Sequence, residues 1–203
     1  LSRKPIQALS AAKIWVELDS DSILAHQTIA ALLVSSNRVN EAQIHLDRLL
    51  DLEGDAAKFF MQLNNLLARS ANKIETLQLV QQFAKPYSEV PEAHFAIAQA
   101  ASLAGQFETA RQQMKLALTL RPDWEMAAIY NGRLLRHHVS SESAIEFYQS
   151  YLKVNPKANK ARIAFAQMLV AEKNFIMARG QFKQLLAQSL GDANVAIAVG
   201  LLS

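Results

Sequence analysis

The sequence predicts an all-α fold, an array of helical hairpins stacked in series. Three observations carry the prediction: a thirty-four-residue recurrence, small residues at two fixed places within it, and helix-ending residues between the places. The stretch "LALTLRPDW" (116–124) returns thirty-four residues later as "SYLKVNPKA" (150–158), with Pro122 and Pro156 at the same position. Stepping by that interval, blocks begin at Ile23, Ala57, Pro91, Glu125, Asn159 and Ala193.

Within a block, the eighth place reads Ala30, Asn64, Ala98, Gly132, Ala166 and Gly200, and the twentieth reads Ala42, Thr76, Ala110, Ala144 and Ala178. Side chains this small let two helices approach closely, where a leucine would hold them apart. Larger apolar residues surround them: Ile29, Leu63, Ile97, Phe165 and Val199 at the seventh place, Leu46, Val80, Met114, Tyr148 and Phe182 at the twenty-fourth. Three- and four-residue spacing of such places belongs to amphipathic helices, not strands. Each block is therefore a helix, a turn and a second helix. Gly105 suits the left-handed conformation that ends a first helix, Pro91 suits a first helical position, and Pro122 and Pro156 stop second helices.

These residues carry a family resemblance. The block "PEAHFAIAQAASLAGQFETARQQMKLALTLRP" resembles a tetratricopeptide repeat (TPR), with Ala98 and Ala110 at its small places, Phe107 at its aromatic place and Pro122 at its end. The resemblance covers five blocks: 23–56, 57–90 (degenerate), 91–124, 125–158 and 159–192. It implies a right-handed superhelical solenoid whose first helices line a concave face. The second block departs from the pattern at Asn64, Thr76 and Lys73, so a shifted or distorted hairpin is expected there. Asn131 stands at a normally apolar place and needs a hydrogen-bond partner if buried. Residues 1–22 read as the second helix of a preceding partial repeat, with Ala8, Ala12, Trp15 and Val16 in register, and residues 193–203 as the first helix of a truncated sixth. With no polar cap at either end and no initiating Met, the expectation is a piece of a longer array in one solenoid domain.

Composition narrows the function. The net charge is +3, with basic and acidic side chains interleaved and no concentrated basic stripe, so nucleic acid is not expected as a partner. Charge drifts along the chain: residues 23–56 carry two basic and five acidic side chains, and residues 159–192 five basic and two acidic. There is no cysteine, which removes disulfides and thiolate chemistry. The longest apolar runs, such as "AIAVGLL", are too short to enter and cross a bilayer. No pair among His26, His45, His94, His137 and His138 has metal-ligand helical spacing, and no phosphate loop or nucleophile elbow occurs. No metal, no cofactor and no catalysis are expected.

What remains is a surface for a protein or peptide partner. First-helix places not used in packing give the candidates: Gln27, Met61, Phe95, Ile129 and Ile163 at the fifth place, and Asn65, Gln99, Arg133 and Gln167 at the ninth, with Gln62 beside them. An apolar ladder next to an amide ladder is a plausible peptide track; the alternative is that fifth-place residues pack between hairpins. Arg133, Arg136 and His137, with Tyr130 alongside, make a basic spot for a carboxylate. The Lys/Asn/Arg clamp of chaperone-binding TPR domains is not matched. The expected function is a non-enzymatic scaffold or adaptor holding a peptide or helix in the concave groove. The alternative is the recognition arm of a larger enzyme, for example a transferase. Phrases such as "WVELDSDS" resemble large TPR proteins of Gram-negative bacteria, some of them lipid-anchored envelope adaptors, and leave both periplasm and cytoplasm open. Apolar faces near Trp15 and at Ile197, Val199 and Leu201 are expected to favour self-association.

Overall fold

A computed structural model describes residues 3–67 and 70–188. Contacts divide the chain into two compact units, Leu1–Leu120 and Arg121–Ser203. The first holds α1 (Arg3–Leu18), α2 (Ile23–Ser35), α3 (Val39–Glu53), α4 (Ala56–Leu67), α5 (Lys73–Ala84), α6 (Pro91–Leu103) and α7 (Phe107–Leu120). The second holds α8 (Glu125–His138), α9 (Ser141–Val154), α10 (Asn159–Ala171) and α11 (Phe175–Gln188). The described residues contain no strand, and each of the five blocks beginning at Ile23, Ala57, Pro91, Glu125 and Asn159 contributes two helices. Ile197, Val199, Leu201 and the rest of the expected sixth repeat lie outside the described residues.

Helix starts follow local chemistry. Ser22 Oγ accepts from Ala25 N, Asn72 Oδ1 from Glu75 N and Ser140 Oγ from Ser143 N, each satisfying an amide that a first turn leaves unpaired. Pro91 takes the first position of α6, where no N–H is needed. First helices end through a left-handed residue in alternate blocks: Asn37 (φ 58°), Gly105 (φ 75°) and Lys173 (φ 59°). The amide after each returns to the carbonyl five residues back, Arg38 to Leu33, Gln106 to Ala101 and Asn174 to Leu169, at 2.8–2.9 Å.

The small residues sit where the hairpins close. Ala30, Ala42, Ala98, Ala110, Ala144 and Ala166 have no measurable exposure. At Gly132 the approach is closer still: a Cβ there would collide with the ring of Tyr148, itself buried and stacked on Phe165 at 5.1 Å. The degenerate second block takes a different arrangement. Its α4 and α5 both pack on α6, and Asn64, too large for the close-approach place, donates to Ala96 O at 3.0 Å and to Gln99 Oε1 at 2.8 Å. Asn131 is only partly buried, which removes its need for an interior partner.

Three polar side chains stand inside the hairpins at the fourth place of alternate blocks. His26 Nε2 donates to Ser20 O at 3.1 Å, His94 Nε2 to Ser88 O at 2.9 Å and Arg162 Nη2 to Pro156 O at 2.8 Å, each reaching the connection six residues upstream. Each also bonds a side chain of its own second helix nineteen residues on: His45 at 3.1 Å, Gln113 at 2.7 Å and Gln181 at 3.1 Å. The intervening fourth places, Phe60 and Ala128, are apolar and buried.

Two predictions follow from the packing. Gly132→Ala gains helix propensity but forces the Tyr148 ring out of its stack, so thermal denaturation should show a net loss of about 1–2 kcal/mol, recovered in part by adding Tyr148→Leu. Equal stability of Gly132→Ala and wild type would show that the ring has room to move. The second concerns acid. Burial, then His26 and Lys13, holds His45 below the usual histidine value of 6.5. The unfolded chain then binds that proton more readily than the folded one, so the contribution is complete above pH 6.5 and is lost as pH falls below it. Between pH 7.5 and 5, wild type should lose more stability than His45→Gln; parallel loss in both would remove the histidine pair as the cause.

Candidate functional site

The thirteen candidate residues fall in both units, and each unit has its own first-helix face. In the first, α2, α4 and α6 lie side by side, α4 touching both. Gln27 Nε2 donates to Gln62 Oε1 at 3.2 Å, and Gln99 Oε1 accepts from Asn64. Of the ninth-place amides in this unit only Gln99 takes part in these bonds, and its partner Asn64 stands at the eighth place. Met61, Gln62 and Gln99 are half-buried and Asn65 is exposed. Phe95 corrects the expectation: it is 3% exposed. The cause is the position of α6, covered by α4, α5 and α7, with eight of its thirteen residues buried. Phe95 serves the core and offers nothing to a partner.

In the second unit, α8 packs on α9 and α10. Two polar ties hold α8 beside α10. Glu125 Oε2 accepts from Ala161 N at 2.8 Å, placing a carboxylate at the positive end of α10, and Arg136 Nε donates to Glu172 Oε1 at 2.7 Å at the other end. Between these ties is an open cleft of about 170 Å³, lined by Arg133, Arg136, Tyr148, Ala164, Gln167 and Met168. Arg133 and Gln167 are exposed; Ile129, Tyr130 and Ile163 are half-buried beside them. Burial pushes the Tyr148 phenol up to about 12, with Arg133 acting in the opposite sense, so Tyr148 stays a neutral wall.

The expected basic spot is smaller than its sequence suggests. Arg136 is neutralised by Glu172, and the exposed His137 does not line the cleft. Arg133 is left as the cation facing it, with the Gln167 amide opposite. A guanidinium and an amide presented this way suit a carboxylate or a run of backbone carbonyls. The volume is below that of ordinary cofactor pockets. Among the described residues no group of three or more His, Asp or Glu is placed to hold a metal ion, and no helix is long and apolar enough to cross a membrane.

Sequence reasoning missed the polar bridges at His26, His94 and Arg162. A signal was present: polar residues at the fourth and twenty-third places of the same blocks, His26 with His45, His94 with Gln113 and Arg162 with Gln181.

No protein-family model matches the chain, and no curated protein does. Solved structures match its fold. The thermophilic TPR protein TTC0263 of Thermus thermophilus aligns with a TM-score of 0.57 at 15% identity, over 90% of this chain and 100% of that one. PilW, a type IV pilus biogenesis factor, gives 0.55 at 18% identity, over 96% and 90%. YrrB, described as a TPR protein with an unusual peptide-binding site, gives 0.50 at 16% identity, over 95% and 99%. The chain has the TPR fold.

The two faces make opposite predictions for charge insertion. Phe95→Glu places a carboxylate in a closed core and should cost more than about 3 kcal/mol, visible as a lowered melting transition by circular dichroism. Arg133→Glu, at an exposed position, should stay within about 0.5 kcal/mol of wild type. A Phe95→Glu protein as stable as wild type would return Phe95 to the surface.

Proposed function

We propose that this chain is a non-enzymatic adaptor that holds a segment of another protein, an extended peptide or a helix, against the first helices of its hairpins. The observation that carries the reading is on α8 and α10, where exposed Arg133 and Gln167 meet at a cleft whose lining contains no acidic side chain. Rigid helices hold both groups, so ordering a partner there costs little on the adaptor's side. In the amino-terminal unit, Gln27, Gln62, Asn65 and Gln99 supply donors and acceptors for peptide backbone, and half-buried Met61 supplies adaptable apolar contact. The description of YrrB as a peptide-binding TPR protein supports the reading by likeness of fold.

The test is capture of partners from cell extract by wild type and by an Arg133→Glu, Gln167→Glu double variant, both checked for helicity, with bound proteins identified by mass spectrometry. A protein retained by wild type and lost by the folded variant is the expected result. Equal retention would move the interface off the α8–α10 face, and the absence of any captured protein would count against an adaptor.

A further inference from the structure

Arg162 is a buried cation that no acidic side chain among the described residues neutralises. The residue is 4% exposed, and it sits at a place the fold otherwise gives to apolar residues or histidine. Nη1 donates to Gln181 Oε1 at 3.1 Å and to Gln184 Oε1, Nη2 donates to Pro156 O at 2.8 Å, and Nε is buried without a partner. Every acceptor it meets is neutral, and among the described residues no carboxylate pairs with it. A guanidinium does not shed its proton to escape burial, so the charge persists in a poorly solvated place.

Beside it is a cleft of about 390 Å³ among α9, α10 and α11. Its lining includes Lys153, Gln149, Gln181 and Gln184 around an apolar floor of Leu152 and Phe165, and no acidic residue. The arrangement of the glutamines matters. Gln181 and Gln184 turn their oxygens to Arg162, which leaves their NH2 groups, both donors, for whatever enters. Lys153 is exposed and adds a second positive charge. A cleft with two cations and outward-facing amide donors selects an anion, and the apolar floor fits the methylenes of an acidic side chain.

We propose that this α9–α11 cleft is a carboxylate-binding site that takes a glutamate side chain of a partner protein, with Arg162 supplying the buried charge and Lys153 the accessible one. It shares no lining residue with the Arg133 cleft and stands whether or not that cleft binds a peptide. The carboxylate accepts from Lys153 and the glutamine amides, and its charge offsets that of Arg162.

The test is an NMR titration of the full 203-residue chain with N-acetylglutamate α-amide at constant ionic strength, following the Arg162 Nε–H and the side-chain amides of Gln181 and Gln184. Saturable shifts are expected, absent with the neutral glutamine analogue and weakened at least about threefold by Lys153→Gln, a surface change that leaves the fold intact. Arg162→Met should abolish them. Non-saturating shifts, equal shifts from the glutamine analogue, or unchanged affinity in Lys153→Gln would overturn the site. Binding of inorganic phosphate without the carboxylate would overturn the ligand class.

Discussion

The close approach of two helices at the eighth and twentieth places is the constraint on which the rest of this structure depends. With Ala or Gly at both places the helices touch near their backbones, and the larger side chains at the seventh and twenty-fourth places are forced outward into the neighbouring hairpin. Tyr148 illustrates the coupling: it occupies the space that Gly132 leaves, and from there stacks on Phe165 of the following block. Close packing inside one hairpin thus creates the surface that binds the next. Where Asn64 breaks the pattern, α4 and α5 turn to α6 instead, and the amide that could not be buried tightly is satisfied by Ala96 and Gln99.

Apolar contact fixes distance but leaves the tilt of a hairpin weakly specified, and polar bridges supply direction. His26, His94 and Arg162 each tie the preceding connection to the second helix, through bonds whose geometry is far narrower than that of a methyl contact. The first-helix face of the second unit is held as firmly: Glu125 and Arg136 pin α8 to α10 at both ends, so Arg133 and Gln167 are presented by a fixed frame.

Much of this was legible in the sequence, because hairpin packing writes itself as residue size at fixed intervals. The alanines at places eight and twenty, Gly105 and the prolines each have one physical use, and their spacing gave the helix pairs. Between the two readings of the fifth place, surface or packing, periodicity cannot choose for Phe95, because it tells which residues share a helical stripe and not how many neighbours cover that helix; α4, α5 and α7 all pack on α6. The basic spot shrank because Glu172 lies thirty-six residues from Arg136, beyond any local pattern. Arg162 escaped notice for the opposite reason: an arginine in a helical run is ordinarily a surface residue, and only three-dimensional burial marks it as unusual.

The alternation at the fourth and fifteenth places has a consequence for how such a chain lengthens or shortens. At the fourth place and at the end of the first helix the pattern recurs every sixty-eight residues, a polar bridge with a left-handed end followed by an apolar fourth place. A single hairpin is therefore not an interchangeable part. Removing or duplicating one would set two hairpins of the same kind side by side, both bridged or both unbridged, whereas gain or loss of a pair keeps the alternation.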